Sequence, residues 1–313
     1  MSSHTPPKDL KDPKGPCPPR PDAKARRRRG AGPLPWIGPA IALILLVVLW
    51  PVVEMVRTSF LRISTSGFVR GSAGLDKYRK LFDEPGFAPV LLWTALWTVA
   101  VVTVTIVLSL ALAQLFNQNF PGRRLTRWAL IAPWAASVLM TSIGFKWMLD
   151  RTAGVLNTVM TDLGIIDGPQ DWLGDPGSAK PWMVLVAVFV SLPFTTYTIL
   201  AGLQTVPAEV YEAAKVDGTS TLQTYRLITL PMLRPALLVA LVINLINVFN
   251  SFPVIWGMTQ GGPNSATATT TVFAFQLMNT DIGESAAMSV VNFGLIVVMV
   301  LAFLKASRWN EEN

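Results

Sequence analysis

Side chains able to do covalent or metal chemistry are almost missing from this sequence. Cys17 is its one cysteine and His4 its one histidine, and both precede residue 36. An intrachain disulfide is therefore impossible, and a Cys/His metal site or a Ser-His-Asp triad in the body of the chain is excluded. A phosphate-cradling loop is excluded too, because that G-x-x-x-x-G-K-[ST] pattern needs its lysine against the phosphates and no Gly-Lys pair occurs anywhere. What remains is hydrogen bonding. Asn244, Asn247, Asn250 and Ser251 fall at offsets of 0, 3, 6 and 7, with Phe249, Phe252 and Trp256 interleaved, so the amides and the hydroxyl share one broad helical face. Amides and hydroxyls beside aromatic rings suit a solute that offers hydroxyls and an apolar ring face. They equally suit hydrogen bonds between neighbouring helices, which polar groups inside apolar bundles often make.

The elements that must position these residues are apolar. Of 313 residues, 51% are hydrophobic and 14% charged, with mean hydropathy +0.44, against about 25% charged in an ordinary soluble domain. Crossing a hydrocarbon core of about 30 Å takes roughly 20 apolar residues in a helix. Six stretches meet that requirement: 36–56, 89–116, 128–149, 182–206, 236–258 and 286–304. The chain is expected to be an all-α integral membrane protein with six transmembrane helices over 36–309; an outer-membrane barrel would show short alternating strands instead. Glu54 and Lys146 lie near the ends of the first and third stretches, where a side chain can snorkel to the interface.

Residues 1–35 are rich in Pro, Lys and Arg and too poor in apolar side chains to offset an ordering entropy, so a disordered basic tail is expected. It ends in Arg26 to Arg29, before an apolar run of about 21 residues with no small-x-small cleavage site after it. That pattern reads as a retained signal anchor rather than a cleaved signal peptide. The net charge of +7 is concentrated there, with nine of the 26 Lys and Arg before residue 36. It is read as a solvated tail beside a membrane, not as a nucleic-acid site. With both termini inside, the inner segments, 310–313 included, hold 17 Lys/Arg and the outer ones eight, which satisfies the positive-inside rule.

The segment between the fourth and fifth stretches, 207–235, is richer in side chains than a connection requires. From Pro207 it suits a short helix, with proline pre-set for a first turn and Glu209 and Glu212 complementing the helix dipole. Asp217-Gly218 is a turn signal, glycine being free to adopt positive φ. A second short helix over 220–228 would place Leu222, Tyr225 and Ile228 on one face, and Pro231 and Pro235 end it. The whole reads as an amphipathic elbow along the inner membrane face.

Glu212, Ala213 and Ala214, then Asp217-Gly218, Ile228, Leu230 and Pro231 carry the spacing of a known signature. In these residues the sequence resembles the permeases of binding-protein-dependent ABC importers and their Glu-Ala-Ala loop. Gly74-Leu75-Asp76-Lys77-Tyr78 and Thr259-Gln260-Gly261-Gly262-Pro263 are similar to outer-loop elements of the carbohydrate branch, and to the first of its paired permeases, as in the maltose, trehalose and glycerol-phosphate systems. The resemblance implies a type I importer permease fold in a bacterial inner membrane, with the elbow as a cytoplasmic coupling helix. It implies four kinds of partner: a second permease, an ABC ATPase dimer that binds ATP and Mg, an extracytoplasmic substrate-binding protein or lipoprotein, and a sugar substrate. This chain would hold no cofactor of its own and would be no enzyme. Ser191, Phe194, Asn244, Asn247 and Ser251 align with sugar-contacting positions in that family, and Asn250 joins them on the helical face. Glycerol phosphate or a polyamine is the alternative solute, and a lone channel or secondary carrier the alternative mechanism. An intramembrane enzyme is disfavoured by the lack of His and Cys in the spans.

Overall fold

The computed structural model of the chain describes residues 34–64 and 66–309. The basic tail expected over 1–35 thus lies outside the described residues except for 34 and 35, as does 310–313. The chain divides into two compact units, Met1–Trp50 and Pro51–Asn313. In the first, α1 (Leu34–Ile44) runs into a wide π turn, Leu45–Leu49.

The second unit is built from α2 (Trp50–Ser59), a strand pair β1 (Leu61–Ile63) and β2 (Val69–Ser72), α3 (Asp76–Asp83), α4 (Phe87–Asn117), α5 (Arg123–Ala135), α6 (Val138–Met148), α7 (Val155–Asp162), α8 (Pro176–Gln204), α9 (Ala208–Val216), α10 (Thr221–Thr224), α11 (Leu230–Met232), α12 (Arg234–Phe249), α13 (Phe252–Met258), α14 (Thr270–Met278) and α15 (Ile282–Trp309). The antiparallel strands, Leu61 opposite Ser72, were not expected from the sequence. Among the described residues four helices are long and apolar enough to cross a membrane: Ile37–Ser59, Phe87–Asn117, Pro176–Gln204 and Ile282–Lys305. The pair Thr221–Met232 and Arg234–Phe249, bent by 67°, makes a fifth if counted as one.

All six expected apolar stretches are helical, but the third and fifth are interrupted. The third breaks at residues 136–137, between α5 and α6, and the fifth at 250–251, between α12 and α13. Hydropathy averaged over a span senses neither break, because each is only two residues long within an apolar stretch. The second halves pack on each other, α6 against α13. Gly257 makes that approach possible, since a Cβ there would lie 2.9 Å from Ser142 Cβ.

α4 and α8 form the most extensive pair, and α12 packs on both. The α4 seam carries Thr94, Thr98, Thr105, Ser109 and Ala113, small side chains that let two helices approach closely. The core falls into two clusters. One gathers Trp97, Val101, Met183, Val186, Val248, Ile255 and Val272, the other Ala113, Phe116, Ile199, Leu203, Leu233 and Ala240. α8 begins with Asp175 accepting from the backbone N–H of Gly177 and Ser178 at 2.8 and 3.2 Å, and Pro193 removes one ladder bond from its interior.

An ionic clamp ties α3 to the start of α15. Lys77 bonds Asp281, and Lys80 Nζ lies 2.5 Å from Glu284 Oε2, although Glu284 is only 1% exposed. Asp281 also accepts from the backbone N–H of Glu284 at 3.2 Å, capping α15. The bond to Glu284 holds the Lys80 ammonium above its usual pKa, outweighing burial. Burial pushes the Asp281 carboxyl up, but the bonds from Lys77 and the Glu284 N–H, with the charges of both lysines, hold it below the usual carboxylate value. A depressed carboxylate stabilises above its ordinary pKa of about 3.8 and stops doing so as pH falls through its folded value. A raised lysine stabilises below about 10.5 and stops as pH rises past its folded value. Lys80→Met leaves a buried carboxylate without its nearest counter-charge and is expected to lower stability by about 2 kcal/mol, discounted because Lys80 is itself largely solvated. Asp281→Asn should flatten the acid limb of thermal unfolding measured against pH. A flat limb in the unmodified chain would remove the clamp.

Candidate functional site

A cavity of about 470 Å³ lies where the two broken spans meet α8. Trp134 and Ala136 reach it from the end of α5, Val138 from the start of α6, and Ser191, Phe194 and Thr195 from the Pro193 region of α8. Asn244, Asn247, Asn250 and Ser251 line the fourth side, from α12 and the break after it. The structure therefore brings together on one cavity all six residues expected along a solute path: Ser191, Phe194, Asn244, Asn247, Asn250 and Ser251. Its polar groups are amides and hydroxyls, and among the described residues no charged side chain lines it. Irregular backbone at membrane depth is tolerated where protein or a water-filled cavity satisfies its polar groups, and both breaks open here.

The polar residues differ in what already holds them. Asn244, 3% exposed, donates from Nδ2 to Thr195 Oγ1 at 2.8 Å, and Thr195 in turn donates to the Ser191 carbonyl at 2.8 Å. The hydroxyl proton is thus used, so the Asn244 amide must present its N–H side to Thr195. Its buried Oδ1 has no partner among the described residues. Asn250 donates to the Ile246 carbonyl at 3.1 Å, closing its own helix, and Ser251 Oγ accepts from Trp97 at 3.2 Å. Interhelical bonding, the alternative open at the level of sequence, is thus realised in Asn244 and Ser251. The side chains of Ser191 and Asn247 make no hydrogen bond among the described residues. Thr195, Trp134 and Trp97 escaped the sequence reading. Thr195 sits beside Phe194 without a motif, and the tryptophans look like any large apolar residue of a span.

A second hollow of about 330 Å³ is lined by Lys146, Trp147, Trp256 and Gln260, with Lys146 and Trp147 exposed. That position fits a snorkelling lysine.

The elbow is a folded unit. Pro207 precedes α9, Glu209 lies in its first turn and Lys215 in its last. Gly218 has φ +70°, a conformation that strains other residues. Thr219 Oγ1 donates to the Ala214 carbonyl at 2.8 Å. Ser220 and Gln223 cap α10 reciprocally, each backbone N–H meeting the other's side chain at 2.9 and 3.4 Å. Thr229 Oγ1 reaches Tyr211 Oη at 3.4 Å, joining the two arms. The second arm is not the regular helix expected over 220–228. After Thr224 it widens into a π turn, Tyr225–Thr229, before Pro231, which has no N–H to continue a ladder. Leu222 consequently faces out while Tyr225 and Ile228 are half-buried. Glu212, Ala213, Asp217, Gly218 and Pro231 are exposed, Ala214 is buried, and Ile228 and Leu230 are half-buried. Val216, Leu222 and Leu227 add 87%, 65% and 73% exposed apolar side chains to the same elbow.

A bundle of long apolar helices with an uncharged cavity at two helix breaks and a folded elbow defines a polytopic membrane protein of the solute-permease class. A family profile described as the binding-protein-dependent transport system inner membrane component matches residues 105–307, and the chain belongs to that family. It is 36% identical, over 88% of its length and 96% of the relative's, to a probable ABC transporter permease protein of Brucella suis. It is 30% identical to the trehalose/maltose transport system permease protein MalF of Thermococcus litoralis, over 88% and 92% of the two chains. A crystal structure of a bacterial alginate ABC transporter, in complex with alginate pentasaccharide-bound periplasmic protein, contains a chain that superposes with TM-score 0.75 at 20% identity, covering 88% of this chain and 93% of that one. The fold is accordingly that of the type I importer permeases.

Because Thr195 keeps its bond to Ser191 without Asn244, Asn244→Leu removes an unpaired buried oxygen and leaves no new one. Thermal stability is expected within about 1 kcal/mol of the unmodified chain, while solute uptake falls at least tenfold. A large stability loss with uptake per folded molecule preserved would make Asn244 an interhelical peg instead.

Proposed function

We propose that this chain is one of two permease subunits of an ATP-driven importer that carries a sugar across the bacterial cytoplasmic membrane by alternating access. The observation that carries the reading is the convergence of Ser191, Phe194, Asn244, Asn247, Asn250 and Ser251 on one uncharged cavity. Sugar hydroxyls exchange hydrogen bonds with amides and hydroxyls, and Phe194 and Trp134 offer flat apolar surface to a ring. Relatives whose names refer to trehalose, maltose and maltodextrin support a carbohydrate cargo. Glycerol phosphate or a polyamine would bring a charge into a wall that holds none, and a buried charge without a partner is costly.

The elbow supplies the coupling in this reading. Both termini are cytoplasmic, and α9 to α11 lie at the inner face. Glu212, Ala213, Asp217 and Gly218, with the apolar side chains of Val216, Leu222 and Leu227, dock in a cleft of an ABC ATPase dimer, where ATP and Mg are bound. Ala214, Ile228, Leu230 and Pro231 keep the elbow's shape. An extracytoplasmic binding protein delivers the sugar to the outer loops, as the family's description and the periplasmic partner of the alginate transporter suggest. Pore subunits of this family are not themselves enzymes.

Glu212→Ala and Gly218→Pro are expected to reduce uptake more than tenfold and to uncouple ATPase activity from the binding protein, with membrane insertion intact. Uptake would be scored with radiolabelled glucose, maltose, trehalose, glycerol 3-phosphate and spermidine. Unchanged transport in either variant removes the coupling role, and uptake of only a charged solute removes the sugar.

A further inference from the structure

We infer that Trp97 is a positioning residue of the cavity: its buried indole holds the α12–α13 break in the geometry that presents Asn247 and Ser251 to the solute. The inference rests on the cavity being the solute path.

At the break the backbone ladder changes partners, and another helix adds a donor beside it. Pro253 has no N–H, so the Phe249 carbonyl loses the donor an unbroken helix would supply. The next donor back, the N–H of Phe252, bonds the Asn250 carbonyl at 2.7 Å instead of reaching Val248. The Val248 carbonyl is then met by the Ser251 N–H at 3.2 Å and by Trp97 Nε1 at 3.1 Å. The same indole N–H lies 3.2 Å from Ser251 Oγ. An indole nitrogen only donates, so Ser251 is the acceptor and its own proton remains for another group on the cavity side. Trp97 is 0% exposed and wedged in the α4 face that meets α12. One bifurcated donor on α4 thus bonds both the Val248 carbonyl in the last turn of α12 and the first hydroxyl after the helix. Trp93, one turn earlier on α4 and in ring contact with Trp97, offers the comparison: its indole donates to the Thr267 carbonyl at 3.2 Å and not to the break.

The test reads the cavity wall without needing the solute. In full-length chain carrying Cys17→Ser, the thiol of Asn247→Cys is reacted with methanethiosulfonate ethyltrimethylammonium in membrane vesicles. Adding Trp97→Phe is expected to change that rate at least threefold, while Trp93→Phe leaves it within twofold. The thiol of Ser191→Cys, on the α8 wall, should be insensitive to Trp97→Phe. An unchanged rate at Asn247→Cys overturns the inference, and so does an equal change at both positions, which would report general loosening. Ser251→Ala removes one acceptor with little change of packing and should move the Asn247→Cys rate in the same direction. A separate arm measures uptake of radiolabelled trehalose or maltose. There Asn247→Ala and Trp97→Phe should each raise KM roughly five- to tenfold with kcat within about twofold, the size of one lost buried hydrogen bond. If Asn247→Ala leaves KM unchanged, the solute path lies elsewhere and the role of Trp97 in transport falls with it. An altered KM for Asn247→Ala beside unmoved thiol rates and an unmoved KM for Trp97→Phe overturns Trp97 alone.

Discussion

Inside a bilayer each backbone N–H and C=O must find its partner within the protein, and most of this architecture follows from that requirement. Unbroken helices satisfy it by themselves, which is why α4, α8 and α15 are long and nearly featureless in charge. Where α5 gives way to α6, and α12 to α13, the ladder stops, and the freed groups must be met from elsewhere. At the second break the indole of Trp97 adds a donor to the Val248 carbonyl and to the Ser251 hydroxyl. Side chains of α12 and of the break after it, with those of α8 around Pro193, line the cavity. A cavity for a polar solute and a break in a transmembrane helix are thus one structural event seen from two sides.

The two ends of the second unit use different interactions for different tasks. At the α3–α15 clamp, ion pairs join a short amphipathic helix to a long apolar one, with the Glu284 carboxylate almost fully buried. At the elbow, by contrast, the stabilising bonds are internal: Thr219 to Ala214, Ser220 with Gln223, and Thr229 to Tyr211. They leave Glu212, Val216 and Leu222 exposed. A shape held from within, with charge and apolar surface left free, suits a part that pushes on another subunit. The cavity and the elbow both attach to α12 through Arg234–Phe249, preceded by a 67° bend, so a tilt imposed at the elbow has a direct mechanical route to Asn244 and Asn247.

Much of this was legible in residue types. The six apolar stretches stand out by hydropathy alone, and each is helical. The Asn244–Ser251 face was visible because polar side chains at helical spacing inside an apolar run have few other uses. The elbow was visible because Pro207, Gly218 and Pro231 punctuate it and Glu212-Ala213-Ala214 gives it a signature. The rest was hidden for physical reasons. The break after Ala135 is weakly marked, since Pro133 precedes it by two residues and Ala136 and Ser137 are as compatible with a helix as with its end. Trp97 reads as one more large residue of α4, its role depending on a carbonyl 151 positions away. The Lys77–Asp281 and Lys80–Glu284 pairs are each separated by 204 residues and belong to no periodicity. The π turn at Tyr225–Thr229, between the cap at Ser220 and Pro231, departs from the 3.6-residue period that a helical-wheel reading assumes.

The measurement that bears most directly on these conclusions is a cryo-electron-microscopy structure of the assembled transporter, trapped with sugar and a non-hydrolysable nucleotide. The expected result is sugar density in the hollow between the α12–α13 break and α8, within hydrogen-bonding distance of Asn247 or Ser251, while α9 and α10 sit in a cleft of the ATPase. Density for the sugar outside that hollow, with the elbow in contact with no other subunit, would contradict it.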